Sequence, residues 1–133
     1  MSAERNFDIT NLQVQAIGAE NQTYLGTAVL HDKTKPQDVF GVHDFVPGSG
    51  QAEDFVRAAH LALQDATTKA LPGVERAELV DKRVFRTVPH KHHRADVRFL
   101  YLGEEHIVSA VHPTDPAQAQ LNAVVKAHNT FYQ

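Results

Sequence analysis

The sequence predicts an α+β fold of two βββα repeats, in which mainly antiparallel strands carry two helices packed on the sheet. Three strand-like stretches followed by a helix-like stretch occur twice along the chain. A proline-containing turn precedes each predicted helix: Pro47 and Pro113 lie 66 residues apart, and so do Phe55 and Leu121, the first large apolar residues of the two helices. Such a repeat buries one layer of helix against one layer of sheet.

The first repeat opens with a predicted antiparallel meander. Leu12, Val14 and Ala16 alternate with polar residues, which indicates a half-buried strand over residues 7–17. Residues 24–31 and 38–46 are predicted to be the second and third strands, with short connections between them. Gly26 is expected to mark a bulge or a close approach of two backbones.

The first helix is predicted over residues 51–70, because apolar residues recur there at helical spacing. Gly48-Ser49-Gly50 is expected to end the third strand and to open this helix. Leu71-Pro72-Gly73 is expected to end it.

The second repeat is predicted to contain strands over residues 77–88, 95–101 and 106–111. The alternation in the first of these is imperfect, which indicates a bulge. Asp115 is the expected N-cap of the last helix, with Pro116 at the first helical position and Gln118 placed to close a capping box. We therefore expect one domain, residues 1–133, made of a first unit over 7–70 and a second over 74–133.

Composition narrows the functional classes. The 133 residues include no cysteine, which excludes disulfides, thiolate metal sites and cysteine nucleophiles. The net charge of −3 argues against a general nucleic-acid binder. The first six residues lack the layout of a signal peptide, and no apolar run approaches the ~20 residues of a membrane span, so we expect a cytoplasmic protein.

The glycine segment is a candidate ligand site. Gly48, Ser49, Gly50 and Gln51 would place backbone N–H groups at a helix N-terminus, which attracts carboxylate or phosphate groups. The alternative is that the two glycines only form the turn between strand and helix. At the second helix start, Thr114 and Asp115 hold the matching position, although the charge of Asp115 would repel a carboxylate.

Three segments together resemble a known family. They are residues 48–54 (Gly-Ser-Gly-Gln-Ala-Glu-Asp), residues 94–99 (Arg-Ala-Asp-Val-Arg-Phe) and residues 114–117 (Thr-Asp-Pro-Ala). With the βββα order, they resemble the C-terminal regulatory (dimerisation) domain of α-isopropylmalate synthases and citramalate synthases. The resemblance covers roughly residues 8 to 133.

The resemblance implies a homodimer in which two βββα units meet and a feedback amino acid binds near their junction. The family's catalytic barrel has no counterpart in these residues, so the resemblance implies a stand-alone module without synthase chemistry. We accordingly predict a non-enzymatic, self-associating regulatory or small-ligand-binding module. Its expected ligand is a small amino acid such as leucine, or a similar carboxylate, and no cofactor is predicted.

Two other functional classes stay open. The basic segment over residues 82–98 is an alternative surface for an acidic protein or RNA, although Asp96 and Arg98 share a strand face and are expected to pair. His90, His92 and His93 are alternative metal ligands, for which a solvated basic loop is the simpler interpretation. Acid–base pairs for an enzyme would come from His43 with Asp44 or from Glu104-Glu105-His106, but no catalytic motif accompanies them.

Overall fold

The computed structural model describes residues 7–18, 23–32, 45–87 and 91–132. It confirms the α+β class and the βββα-βββα order. The elements are β1 (Phe7–Ile17), β2 (Thr23–Asp32), β3 (Phe45–Ala52), α1 (Phe55–Ala70), β4 (Glu78–Arg86), β5 (His93–Tyr101), β6 (Glu104–His112) and α2 (Pro116–Phe131).

The chain divides into two compact units. Unit 1 comprises Met1–Val74 with Tyr132–Gln133, and unit 2 comprises Glu75–Phe131. Each unit has one antiparallel three-stranded sheet, in the order β1-β2-β3 or β4-β5-β6, and one helix that packs on it. Neither helix has the length and apolar character that a membrane span requires, within the part of the chain that the structure describes.

The two units share structural details besides their element order. The first strand of each carries a register shift, between Ile9 and Asn11 in β1 and between Leu79 and Asp81 in β4. The second of these is the bulge that the imperfect alternation predicts. Bulges disrupt pairing along a sheet edge, and both of these strands are edge strands.

The spacing between the repeats differs from the prediction. Asp54 and Asp115 cap the two helices by accepting hydrogen bonds from the backbone N–H two residues on, and they lie 61 residues apart. Pro47 lies inside β3 whereas Pro113 follows β6, so the 66-residue match joined positions that are not equivalent. The capping box at Gln118 is also wrong, because its side-chain amide donates to Asn122 instead.

The glycine segment is not a turn. Gly48-Ser49-Gly50 lies within β3, and α1 begins at Phe55 rather than at residue 51. A Cβ atom at Gly48 would lie 2.5 Å from the carbonyl oxygen of Ala62, and one at Gly50 would lie 2.7 Å from the Ala62 backbone nitrogen. The glycines therefore let the strand pass directly beneath the helix, which is why the pair does not break the strand.

The helix supplies the matching small side chains. Ala58, Ala62 and Ala66 recur every four residues along α1 and are all fully buried. A Cβ at Gly26 of β2 would lie 2.8 Å from the backbone carbonyl carbon of Ala58, which confirms the expected close approach there. Unit 1 thus joins its helix and sheet through backbone-to-backbone proximity rather than through large side chains.

Unit 2 uses larger residues at the same interface. Ala95, Val97 and Phe99 of β5 are fully buried beneath α2, together with Ala123, Val124 and other helix residues. Phe131 closes one end of this core. Its ring lies 5.5 Å from that of Phe99 and 4.8 Å from that of Tyr101, measured between ring centroids.

We predict that Gly48→Ala lowers the free energy of unfolding by about 3 kcal/mol, because the new methyl group meets helix backbone that cannot move independently. Urea denaturation followed by circular dichroism measures the change. Ser49→Ala is the matched control, since this exposed neighbour points to the opposite face, and we expect it to change stability by less than about 0.5 kcal/mol. Equal stability of the two variants would show that the close approach is not needed.

Candidate functional site

The predicted ligand-site residues occupy two separate places in the fold. Gly48, Ser49, Gly50 and Gln51 lie in β3 of unit 1, and Thr114 and Asp115 lie just before α2 of unit 2. The proposed cradle at the start of the first helix is wrong, because the glycines precede α1 and pack under its middle. The backbone N–H of Ser49 donates to the Asp65 carboxylate at 3.0 Å.

The start of α2 is already satisfied by its own neighbours. The Nδ1 atom of His112 accepts from the backbone N–H of Thr114 at 3.2 Å and from that of Asp115 at 2.9 Å. The Asp115 carboxylate in turn accepts from Ala117. The backbone donors of Thr114 and Asp115 are thus used within unit 2, and this turn is a structural cap.

The histidine loop is described only in part. His90 lies outside the described residues. His92 is exposed, and its backbone exchanges hydrogen bonds with Thr87, while His93 begins β5 opposite His112. Within the described ranges, no group of three or more histidine or acidic side chains is arranged to hold a metal ion.

The structure describes only one of the two candidate acid–base groups, Glu104-Glu105-His106. His43 and Asp44 also lie outside the described residues. His106 stands 4.0 Å from Glu104, and its ring packs edge-on against Phe131 at 5.2 Å between centroids.

Charged and large apolar side chains lie together on the face of the unit 2 sheet that α2 does not cover. We call this surface the open face. Cross-strand register places its residues side by side. From β4, β5 and β6 in turn, the open face consists of Glu78, Asp81, Arg83, Phe85, Arg94, Asp96, Arg98, Leu100, Glu105, Ile107, Ser109 and Val111.

A hydrogen-bonded triad of Arg94, Asp96 and Ser109 lies at the centre of the open face. The Ser109 hydroxyl donates to Asp96 Oδ1 at 2.7 Å, and Arg94 Nε donates to the same oxygen at 2.8 Å. Arg94 Nη2 also donates to the Ser109 hydroxyl at 3.3 Å. The expected pairing of Asp96 with Arg98 is wrong, since Arg98 contacts Glu105 at 3.3 Å.

The triad holds Asp96 in its charged form. Burial raises the pKa of Asp96, but the hydrogen bonds from Ser109 and Arg94 and the charges of Arg94 and Arg83 outweigh it. The net pKa lies below the ordinary value of 3.8. Asp96 is therefore ionised at neutral pH and fixes the Arg94 guanidinium on the sheet.

Large apolar side chains surround this charged centre. Ile107 is 62% exposed, Val111 52%, Leu100 39% and Phe85 37%. The guanidinium carbons of Arg94 and Arg83 lie 5.5 Å and 5.8 Å from the centroid of the Phe85 ring, so Phe85 carries a cation on its surface. A depression of about 110 Å³ borders Ile107 and is lined also by Asp81, Lys82, Arg83, Asp96 and Arg98.

The sequence by itself predicts no joint role for the residues of the open face. The missed signal is in β6, where Ile107, Val108, Ala110 and Val111 put apolar residues on both faces. Such a strand is typical of a sheet covered on both sides, whereas a sheet with one solvated face alternates apolar with polar residues. The β6 strand of the open face is therefore more apolar than a solvated strand usually is, although eight of the twelve open-face residues are polar.

We predict that Asp96→Asn destabilises the chain by about 1 kcal/mol at pH 7. A carboxylate whose folded pKa is lowered stabilises the fold above its unfolded pKa, and this contribution is lost as the pH falls through the folded pKa. Denaturation measured at pH 7 and again below pH 3 should thus show the gap between wild type and variant closing in acid. A gap that stays constant with pH would contradict the charged triad.

A comparison of the chain with known protein families finds no family model that matches, and none of the curated proteins matches it either. The resemblance to the synthase regulatory domain therefore stays a prediction from the sequence. The fold class and the geometry of the open face are independent of it.

Proposed function

We propose that this chain is a non-enzymatic module that self-associates, with the open face of unit 2 docking on the same face of a second copy. The observation that carries the proposal is the exposure of four large apolar side chains on one sheet face, around a charged centre. Aromatic residues and arginine are enriched at protein interfaces relative to the rest of the surface, and the open face combines Phe85 and three arginines with these aliphatic side chains.

The mixed charge of the open face supports a second copy of the chain as the partner. The open face carries three arginines (Arg83, Arg94, Arg98) and four carboxylates (Glu78, Asp81, Asp96, Glu105). A two-fold contact pairs each patch with its own counterpart, so it needs a surface that carries both signs of charge. Arginines of one copy can then meet carboxylates of the other, and neither sign is buried without a partner.

The number of carboxylates on the open face also argues against RNA as the partner. A nucleic-acid surface gains affinity by neutralising phosphates, and carboxylates among its cations oppose this. On the open face Asp81 and Asp96 alternate with the arginines, so the surface is not basic although the segment 82–98 reads as basic in the sequence. An exposed Phe85 would suit base stacking, but its two neighbouring guanidiniums already lie over it.

The area of the open face sets the affinity that we expect for the dimer. β5 has nine residues, so the three-stranded face is about 30 Å long and about 14 Å wide, or about 400 Å² per copy. That is roughly half of what a standard stable interface buries on each partner. We therefore expect a reversible dimer with a dissociation constant of about micromolar or weaker. The resemblance to a dimerising regulatory domain supports the same proposal and adds to it a regulatory role.

We predict that Ile107→Asp abolishes the dimer, because it places a charge at the most exposed apolar position of the face. Sedimentation velocity from about 10 µM to about 1 mM should show wild-type mass rising with concentration and variant mass staying at that of one chain. Since Ile107 is exposed, the circular dichroism spectrum should not change.

Leu102→Asp is the matched control. Leu102 is 66% exposed, but it lies in the turn between β5 and β6 rather than on the open face. The Leu102→Asp variant should form the dimer as the wild type does. Wild-type protein that stays monomeric throughout, or an Ile107→Asp variant that associates normally, would overturn the proposal.

A further inference from the structure

A groove crosses the edge of the unit 2 sheet where β6 meets α2. Its volume is about 520 Å³, and it is lined by Arg94, Ser109, Ala110, Val111, Asn122 and Lys126. Small-molecule sites commonly have ~300–1,000 Å³. Ala110 and Val111 supply its apolar atoms from opposite faces of β6, and Arg94, Asn122 and Lys126 supply hydrogen-bond donors.

The donors come from three different elements. Lys126 on α2 donates from Nζ to the Ser109 carbonyl at 3.2 Å, which places the ammonium group against the strand. Arg94 on β5 is held by the triad described above. Asn122 on α2 uses its side-chain oxygen to accept from Gln118, and its amide nitrogen makes no hydrogen bond to the described residues.

A comparison of the two units shows what is unusual about Lys126. In unit 1, Lys69 of α1 likewise donates to an edge-strand carbonyl, that of Pro47, at 3.3 Å. There the lysine also pairs with Asp65 at 3.1 Å, so its charge is compensated within the helix. Lys126 has no such carboxylate among the described residues, although it too donates to a carbonyl of an edge strand, at a different position along the helix and the strand.

We infer that this groove binds a small oxyanion, with a carboxylate or phosphate group between Lys126, Arg94 and the Asn122 amide. The ammonium and guanidinium supply charge-assisted donors, and Asn122 supplies a neutral one. Val111, which lies opposite Arg94 in the register of β5 and β6, favours a ligand whose oxyanion carries a short branched hydrocarbon, so an organic carboxylate should bind better than inorganic phosphate. The inference goes beyond self-association, since Lys126 and Asn122 lie outside the open face. Arg94, Ser109 and Val111 belong to both surfaces, so a dimer contact through the open face would cover part of the groove.

The test is a titration of isotope-labelled protein, monitored by amide NMR, with 3-methylbutanoate, acetate and inorganic phosphate at constant ionic strength. We expect saturable shifts at Val111, Asn122 and Lys126, strongest with 3-methylbutanoate. Lys126→Gln should weaken binding at least tenfold, whereas Lys69→Gln, the matched change in unit 1, should leave it unchanged. Asn122→Ala provides a second variant that retains both cations.

Each outcome decides the inference. Saturation by phosphate but not by the carboxylates would assign the site to a phosphate group and retain the oxyanion. The absence of saturable shifts with any probe in both the wild type and Ile107→Asp, or an equal loss in Lys126→Gln and Lys69→Gln, would overturn it. Because Ile107→Asp alters the open face and not the groove lining, repeating the titration on that variant separates failure of the ligand site from failure of the dimer.

Discussion

A single helix can cover only one face of a three-stranded sheet, and both units are shaped by this constraint. A helix is about 10 Å wide and three strands span about 14 Å, so one strand also lies partly outside its cover. In unit 2, α2 packs mainly on β5 and β6 and touches β4 only slightly. Val84, on the helix side of β4, is consequently 40% exposed. The opposite face has no cover at all within the described part of unit 2, so its apolar and charged residues are exposed.

The two units meet the same constraint with different side chains. If the bulges of β1 and β4 are superimposed, the strand register makes Gly26 equivalent to Ala95 and Leu30 equivalent to Phe99. In unit 1, small residues line the interface between helix and sheet, so strand backbone contacts helix backbone. In unit 2, larger residues line the equivalent interface, and aromatic rings pack at one end of it. Matching bulges and matching aspartate N-caps support a common origin for the two repeats more strongly than the proline spacing does, because they follow from equivalent positions in the structure.

The sequence predicted the class and the element order because period-two and helical spacing depend on local burial, which each segment records by itself. It misplaced the start of α1 because glycine pairs usually form turns, and only the distant residues Ala62 and Ala66 show that this pair lies beneath a helix. The Arg94–Asp96–Ser109 triad was invisible for the same reason, since Ser109 reaches Asp96 through the pairing of β5 with β6. The sequence does contain one signal of the open face. β6 carries apolar residues on both sides, a pattern that indicates a strand buried on both faces of the sheet.

If two copies meet through the open face of unit 2, a spin label on one copy should broaden the amide signals of that face in the other. The chain has no cysteine, so Leu102→Cys accepts a single spin label in the β5–β6 turn, outside the face. This labelled protein would be mixed with isotope-labelled wild type, and amide signals of the wild type would be compared before and after reduction of the label. A dimer through the open face predicts broadening of β4, β5 and β6 amides that grows with concentration. Broadening confined to unit 1, or its absence at concentrations where the protein sediments as a dimer, would contradict it.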